Sequence, residues 1–172
     1  MPGMYKSVCR KEKKIGSVKI YKSSFKHNVN YKKRIQHQRI TKTTRENHTL
    51  KEAKVIISAG RGIGKKENLE YIFKFAKCFS SSVVGASRPL VDMGWIEYEH
   101  QVGITGASVA PKLYIACGIS GSSQHLAGIK DAEIIISINN NPAAPIFRHS
   151  DFCIVEDVLE FIQAFYTDMK HL

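Results

Sequence analysis

The segment over residues 103–128 constrains the fold of this chain more than any other part of the sequence. It contains two loops rich in Gly, Ser and Thr, and between them lies one short apolar run at residues 113–117. The second loop leads into a predicted helix. Loops of this composition at strand ends leave backbone N–H groups open to a phosphate group or a flat ring. The segment therefore predicts that the chain binds a nucleotide-type cofactor.

Short apolar runs alternate with helical patterns from residue 54 onward. The runs that predict strands are residues 54–59, 82–87, 113–117, 133–138 and 152–155. Helices are predicted at residues 68–79, 88–95 and 120–130, followed by a terminal helix capped by Asp157. The predicted apolar faces of the first and last helices are Leu69, Ile72, Phe73, Ala76 and Phe79, and Val158, Phe161, Ile162 and Phe165. Strands that alternate with helices predict a parallel sheet covered on both faces.

Glycine or polar residues follow most of the predicted strands. They form clusters at residues 60–64, 87–88, 120–125 and 139–141. The carboxyl ends of parallel strands meet at one edge of a sheet, and ligands of such sheets bind beyond that edge. We therefore expect these clusters to form one binding site.

Each cluster also has an ordinary structural explanation. The sequence GRGIG at residues 60–64 lacks the complete dinucleotide-binding fingerprint, so its glycines suit a simple turn as well as a ligand contact. Arg61, held inside that turn, is able to bind a phosphate through two nitrogens. Arg88 suits an ordinary surface charge, but its place at the ligand edge of a nearly neutral domain favours a functional role. Asn139 and Asp157 suit contacts to a ribose or an adenine, or else a turn and a helix cap. The sequence leaves these alternatives open.

The positive charge of the chain is confined to its amino-terminal third. Residues 1–54 contain 16 Lys and Arg against 3 Asp and Glu, a net charge of +13, whereas the remainder carries −2. Such an arm suits a solvated leader or a nucleic-acid-binding segment, and its sparse aromatic residues make nucleic acid the less favoured partner. Weak alternation predicts a strand at residues 15–25, and residues 26–53 are predicted to be a linker. The expected boundary separates a basic segment, 1–53, from a globular domain, 54–172.

Cysteine spacing and hydropathy argue against several classes of protein. The four cysteines include no CxxC pair, so neither a disulfide framework nor a metal site is predicted. Cys78 and Cys117 fall within apolar patterns and are expected in the core. No apolar stretch reaches the roughly 18 residues needed to cross a membrane, and the start of the chain lacks the apolar centre of a signal peptide. These features predict a reduced, cytoplasmic location.

The region from about residue 55 to residue 170 resembles the FAD-binding domain of the alpha subunit of electron-transfer flavoproteins. The matching strings are KVIISAGRGIG, VGASRPLVDMGW, QVGITGASVAPKLYIACGISGSSQHLAGIKDAEIIISINNNPAAPIF and DFCIVEDV. The resemblance implies an α/β fold, a three-layer Rossmann-like parallel sheet with helices on both faces, which holds FAD in an extended pose. It also implies that residues 15–25 are similar to the last strand of the amino-terminal domain that this family usually carries.

The resemblance implies a set of FAD contacts and no catalytic residue. The residues that match these contacts are Arg61, Ser87, Arg88, Gln101, Val102, Gly103, Thr105, Gly106, Ser120, Gly121, Ser122, Gln124, His125, Asn139 and Asp157. Arg61 and residues 120–124 resemble contacts to the phosphates and the ribityl chain. Asn139 and Asp157 resemble contacts to the adenosine half.

Three of these residues resemble contacts to the flavin ring itself. Arg88 resembles the arginine that lies over the isoalloxazine ring, and Thr105 resembles the hydroxyl donor near N5. His125 resembles the imidazole that faces the N1 and C2-carbonyl edge. No Asp or Glu close in sequence orients His125 as a base, which favours a hydrogen-bonding or electrostatic role. Because one-electron reduction puts negative charge at that edge, nearby positive charge and a helix N-terminus are expected to stabilise the reduced ring.

The resemblance implies an electron carrier rather than an enzyme. Such a subunit passes single electrons between a flavoprotein dehydrogenase and a redox acceptor of the ferredoxin or quinone type. The expected partner is an electron-transfer flavoprotein beta subunit, in a heterodimer that does not insert into a membrane. Two alternatives are a module that binds FAD or AMP without electron transfer, and a nucleic-acid-associated protein that acts through the basic arm.

Overall fold

The computed structural model describes residues 50–169 of the chain. The strand predicted at residues 15–25 and nearly all of the linker predicted at residues 26–53 lie outside this range. Within the described range, no helix is both long enough and apolar enough to cross a membrane.

Five parallel strands form one central sheet. They are β1 (Val55–Ala59), β2 (Ser82–Ala86), β3 (Leu113–Cys117), β4 (Ile135–Ile138) and β5 (Phe152–Ile154). Their spatial order is β2-β1-β3-β4-β5, and every neighbouring pair is parallel. The interior strands β1 and β3 consist of nearly continuous apolar residues, as expected of strands buried on both faces. All five predicted strands are confirmed.

Helices connect these strands and follow the last of them. They are α1 (Leu69–Ala76), α2 (Arg88–Asp92), α3 (Ser123–Ile129) and α4 (Val158–Met169), with short 3-10 turns at Arg61–Ile63, Lys66–Asn68, Tyr98–His100 and Pro145–His149. Pro89 lies in the first turn of α2, where its missing N–H is not needed. Asp157 Oδ1 accepts hydrogen bonds from the N–H groups of Leu159 (2.8 Å) and Glu160 (3.3 Å), which confirms the predicted cap of α4.

A hydrophobic core covers each face of the sheet. On one face, Ile57 of β1 packs in a cluster with Ile72 and Phe75 of α1 and Ile162 of α4. The core on the opposite face includes Leu50, Ala53, Ile56, Tyr114, Ala116, Ile129 and Ile146. Because successive residues of a strand point to opposite faces, β1 contributes to both cores. This arrangement confirms the predicted three-layer fold with helices on both faces.

The predicted apolar face of α1 is wrong at one position. Phe73 is 40% exposed, whereas Phe75 is 2% exposed. Phe75 packs edge-on against the rings of Phe79 and Phe165, at centroid distances of 5.3 and 5.2 Å. This aromatic cluster sets the rotation of the helix, and an aromatic partner on α4 is not visible in the local sequence pattern.

The prediction that Cys78 lies in the core is also wrong, while the same prediction for Cys117 is confirmed. Cys78 is exposed and Cys117 is buried in β3. α1 ends at Ala76, and in the tight turn that follows the N–H of Cys78 donates to the backbone oxygen of Phe75. The chain therefore leaves the helical pattern before Cys78, so the residue does not continue the buried face.

Candidate functional site

The carboxyl ends of the five strands are aligned in register. Ala59 of β1 pairs with Ala86 of β2 and with Cys117 of β3. Cys117 pairs in turn with Ile138 of β4, which pairs with Ile154 of β5. The clusters predicted from the sequence therefore leave the sheet at one edge.

From β1 the chain moves to β2 on one side of the sheet, and from β2 it returns to β3 and continues to β4 and β5 on the other side. A switch point of the topology therefore lies between β1 and β3. Crevices at such switch points are where open parallel sheets bind their ligands. The two loops at this point touch, since Gly60 N–H donates to Cys117 O (2.7 Å) and Gly62 N–H donates to Gly118 O (2.9 Å). A Cβ atom on Gly62 would lie 2.7 Å from Gly118 Cα, so this close approach requires glycine. Arg61 is exposed between the two glycines, beside the switch point.

A pocket of about 260 Å³ opens at this edge. The predicted contact residues that line it are Ser87, Arg88, Val102, Gly103, Thr105, Ser122, Gln124 and His125. They come from three separate segments: the start of α2, the loop before β3, and the start of α3. Pro89, Asp92 and Ile104 complete the lining. The fold thus gathers distant parts of the sequence around one concave surface.

Arg88 provides positive charge at the mouth of this pocket. Its Nε atom lies 3.2 Å from Asp92 Oδ2, one helical turn away, and both side chains are largely exposed. An exposed ion pair of this kind stabilises the fold by only about 0–1 kcal/mol, so it holds Arg88 loosely. The bond uses Nε and leaves the two terminal guanidinium nitrogens outside that contact. Sequence reasoning missed Asp92, although its spacing of four residues from Arg88 was a usable signal.

Hydrogen bonds from two side chains hold the loop that carries Thr105. Gln101 Nε2 donates to Thr105 Oγ1 at 2.9 Å, and Tyr98 Oη donates to the Thr105 backbone oxygen at 2.6 Å. Because Thr105 Oγ1 accepts the bond from Gln101, its own hydrogen is left for another acceptor. Gly106 lies against the backbone of Gln101, where no Cβ atom fits. Gln101 and Gly106 thus support the loop and do not line the pocket themselves.

His125 is a nearly buried imidazole in the pocket wall. It is 4% exposed, and its Nε2 atom lies 2.8 Å from the hydroxyl oxygen of Tyr114. Its Nδ1 atom is buried and makes no hydrogen bond within residues 50–169. Burial disfavours the imidazolium and lowers the pKa of His125 to about 4, against a smaller opposing influence of the Val102 backbone. Of the two predicted roles, the neutral ring favours hydrogen bonding.

Of the predicted phosphate and ribityl contacts, Ser122 and Gln124 line the pocket, whereas Arg61, Ser120 and Gly121 lie along the same edge outside its lining. Arg61 and Ser120 are exposed in the loops after β1 and β3. Gly121 is packed against the backbone of Ile146, and its own backbone has a positive φ angle (+85°) that favours glycine. The N-cap of α3 is Ser122, whose side chain forms no capping bond. The hydroxyl groups of this loop are therefore not occupied by capping the helix.

Asn139 and Asp157 each have a structural task in the fold. Asn139 Nδ2 donates to the backbone oxygen of Ile119 at 2.9 Å, and its Oδ1 accepts from Asn141 N–H at 3.0 Å. These bonds tie the loop after β4 to the loop after β3. Asp157 caps α4, as described above. The structural alternatives left open by the sequence are thus realised for both residues, which also lie outside the pocket lining.

Sequence reasoning did not identify Tyr114 as a partner of the site. A tyrosine in a strand that is otherwise entirely apolar is a usable signal, because a buried hydroxyl group requires a hydrogen-bond partner. The identity of that partner depends on how α3 packs against the sheet. No group of His, Cys, Asp or Glu in the described part of the chain is arranged to hold a metal ion.

Comparison with known proteins shows which family this chain is similar to. Residues 49–130 match the electron transfer flavoprotein FAD-binding domain. The electron transfer flavoprotein subunit alpha of Thermoanaerobacterium thermosaccharolyticum is 48% identical over 133 residues, which is 77% of this chain and 40% of the relative. The subunits of the same name are 41% identical over 135 residues in Bacillus subtilis (78% of this chain, 41% of the relative), and 36% identical over 169 residues in Clostridium acetobutylicum (98% and 50%).

The chain spans half or less of the length of these relatives. The matched region includes β1 to β3 and α3, and so contains every residue that lines the pocket. Residues 49–130, which contain the whole pocket lining, are therefore similar to the electron transfer flavoprotein FAD-binding domain.

Proposed function

We propose that this chain is an electron-transfer flavoprotein alpha-type subunit, or a fragment of one, which binds FAD and carries single electrons. The observation that carries the proposal is the convergence of Arg88, Thr105 and His125 on one pocket at the carboxyl edge of the sheet. These side chains provide a permanent positive charge, a hydroxyl group and a neutral imidazole. Such a set suits the uptake of an electron by a bound ring, because it stabilises negative charge without turnover of protons.

The size of the pocket fits part of FAD. Pockets for complete small ligands commonly have volumes of about 300–1,000 Å³, and this pocket of about 260 Å³ suits a fused ring rather than a whole dinucleotide. The remainder of FAD would then extend over the loops after β1 and β3, where Arg61 and Ser120 are exposed. The buried, unpartnered Nδ1 atom of His125 supports this fit, since a buried polar atom without a partner is a point at which a ligand gains a hydrogen bond.

The pocket residues and the bound FAD would have separate roles. When bound, FAD supplies the ring that accepts and releases electrons. The positive charge of the Arg88 guanidinium would favour the reduced ring. Thr105 has a hydroxyl hydrogen available because Gln101 occupies its oxygen as acceptor. Asn139 and Asp157 would contact the adenosine half in addition to their structural tasks.

We further propose that a beta subunit covers the pocket and that the heterodimer exchanges electrons with a flavoprotein dehydrogenase and with a ferredoxin- or quinone-type acceptor. Large apolar side chains support a covered rim: Ile104 is 64% exposed and Tyr98 is 62% exposed, and both belong to the loop region that borders the pocket. Burial of such side chains against a partner contributes favourable free energy at an interface. The chain spans half or less of its relatives' length, and this proposal concerns the described domain within residues 54–172.

The proposal is tested by purifying the full 172-residue chain and measuring its visible absorbance before and after addition of FAD. Stoichiometric flavin is expected in the wild-type chain, with a loss of affinity in Arg88→Ala. The matched control is Arg148→Ala, because Arg148 is an exposed arginine that does not line the pocket. A folded chain that takes up AMP but no FAD would favour the alternative of a nucleotide module without electron transfer.

A further inference from the structure

Three polar side chains lie buried behind the pocket in an otherwise apolar core. Ser58 of β1, Tyr114 of β3 and His125 of α3 are all buried. Tyr114 is among the largest fully buried side chains of the described chain, and it lies in an interior strand between apolar neighbours. Buried polar groups are retained where they bond to one another, so this set calls for an explanation.

The bond between Tyr114 and His125 has a defined donor. Burial raises the pKa of the Tyr114 hydroxyl, so the phenol keeps its hydrogen, and burial keeps the His125 ring neutral. A neutral imidazole has one nitrogen that donates and one that accepts. If the phenol donates across the 2.8 Å contact to Nε2, the hydrogen of the imidazole must lie on Nδ1.

One further observation favours this direction over its reverse. Among residues 50–169, the contact with His125 Nε2 is the only hydrogen bond of the Tyr114 hydroxyl group, and the buried Ser58 hydroxyl oxygen has no hydrogen-bond partner. If Nε2–H donated instead, the hydrogen of the phenol would be buried without an acceptor, which costs free energy. The direction from Tyr114 to His125 therefore leaves fewer buried polar groups unsatisfied.

We infer that Tyr114 is a positioning residue, which donates its hydroxyl hydrogen to His125 Nε2 and thereby holds the imidazole as the neutral Nδ1–H tautomer in the pocket wall. The tautomer is a property of the chain itself and can be measured without any ligand. Its use rests on the proposed function: a ring nitrogen whose hydrogen is fixed in place serves as a ready donor to a bound flavin, with no reorientation when charge arrives.

The test is the ¹⁵N NMR spectrum of the histidine rings in the full-length chain without flavin. The signals of His125 are identified by their loss in His125→Gln. The wild-type chain is expected to show a protonated Nδ1 and an unprotonated Nε2. In Tyr114→Phe, which removes only the hydroxyl group, the population is expected to move toward the Nε2–H form. Ser58→Ala, which removes a buried hydroxyl group that has no hydrogen-bond partner among the described residues, is expected to leave the tautomer unchanged.

The matched control is Tyr71→Phe, which removes the hydroxyl group of a half-exposed tyrosine far along the chain from this cluster and leaves the His125 signals unchanged. If Tyr114→Phe does not fold, the tautomer in the wild-type spectrum still decides the matter. An Nε2–H tautomer in the wild-type chain, or an unaltered tautomer in folded Tyr114→Phe, overturns the inference.

The outcome is separable from that of the proposed function. A chain with the Nδ1–H tautomer that takes up no FAD retains this inference and contradicts the flavin proposal. A chain that binds FAD but holds the Nε2–H tautomer supports the flavin proposal and contradicts this inference. In the FAD-loaded chain, Tyr114→Phe is expected to lower the midpoint potential of the first electron while leaving bound flavin in place, which a purely structural role of Tyr114 would not produce.

Discussion

The guanidinium Nε of Arg88 lies 3.2 Å from the carboxylate of Asp92, and both residues line the same pocket. The charge that favours a reduced ring is therefore partly offset by a neighbour of opposite sign. The negative charge of Asp92 weakens the positive potential in the pocket. Substitution of Asp92 is therefore expected to change the electron affinity of the site.

Asp92→Asn is expected to raise the midpoint potential of bound FAD for its first electron. An exposed pair is worth at most about 1 kcal/mol, which corresponds to roughly 40 mV for a one-electron couple. Potentiometric titration of the loaded chain measures the change. Asp131→Asn, which removes an exposed carboxylate that does not line the pocket, is the control and should leave the potential in place. A fall in potential on removal of Asp92 would contradict the assigned sign.

A second prediction concerns the acid stability of the chain without flavin. The folded pKa of His125 is about 4, below the ordinary value of 6.5, so between these values the unfolded state binds more protons than the folded state. Stability is therefore expected to fall as the pH drops below about 6.5, by about 2 kcal/mol at pH 5 relative to pH 7. Urea unfolding at the two pH values measures this loss.

The control for that experiment separates His125 from the other titrating groups. In His125→Gln, most of the loss of stability between pH 7 and pH 5 is expected to disappear. In His149→Gln, which replaces an exposed histidine, the same loss of stability as in the wild-type chain is expected. Equal pH dependence in the wild-type chain and in His125→Gln would mean that the imidazole is not held neutral by burial.

Much of this architecture is predictable from the local sequence, and the reason is physical. The runs that became β1 and β3 are nearly all apolar because both faces of those strands are buried, and the turn residues after them mark the edge that binds ligands. Asp157 was predictable as a cap because a cap needs only its own helix. By contrast, the exposure of Phe73 and the burial of Phe75 depend on Phe165, which lies on another helix.

The least predictable part of the site is the environment of its residues. Sequence spacing indicated that His125 belongs to the pocket, but its low pKa and its bond to Tyr114 arise from the packing of α3 against β3. Such contacts join residues on different elements, and no local period encodes them. The same holds for Asn139, whose side chain is tied to Ile119 across two loops.

A third prediction concerns the effect of His125 on electron uptake. His125→Ala is expected to retain FAD, because Arg88 and Thr105 still line the pocket, but to weaken the one-electron-reduced form. A hydrogen bond to a charged group is worth about 1.5–3 kcal/mol, so the amount of that form should fall roughly tenfold or more. Stepwise reduction followed in the visible spectrum measures it. His149→Ala is the control, and identical reduction profiles for all three proteins would refute the role of His125.

A fourth prediction concerns the close contact between the loops at the switch point. Gly62→Ala places a Cβ atom 2.7 Å from backbone atoms of Gly118, so the loops must move apart. We expect a destabilisation of about 1–3 kcal/mol together with weaker FAD binding. Gly94→Ala is the comparison, because Gly94 has open space around it and only a strained backbone angle of +65°. It should lose about 1 kcal/mol of stability and keep its affinity for FAD.

The final prediction separates two roles assigned to Asp157. Its Oδ1 atom caps α4 through Leu159 and Glu160, and the family resemblance also assigns its carboxylate to the adenosine half of FAD. Asp157→Ala removes both the cap and the charge, and should cost about 1 kcal/mol of stability. Asp157→Ser retains a capping oxygen but no charge, so it should recover that stability while binding FAD as weakly as Asp157→Ala does. Wild-type affinity in a stable Asp157→Ser chain would mean that the residue serves the helix alone, and calorimetric titration with FAD, paired with thermal unfolding of each variant, distinguishes the two.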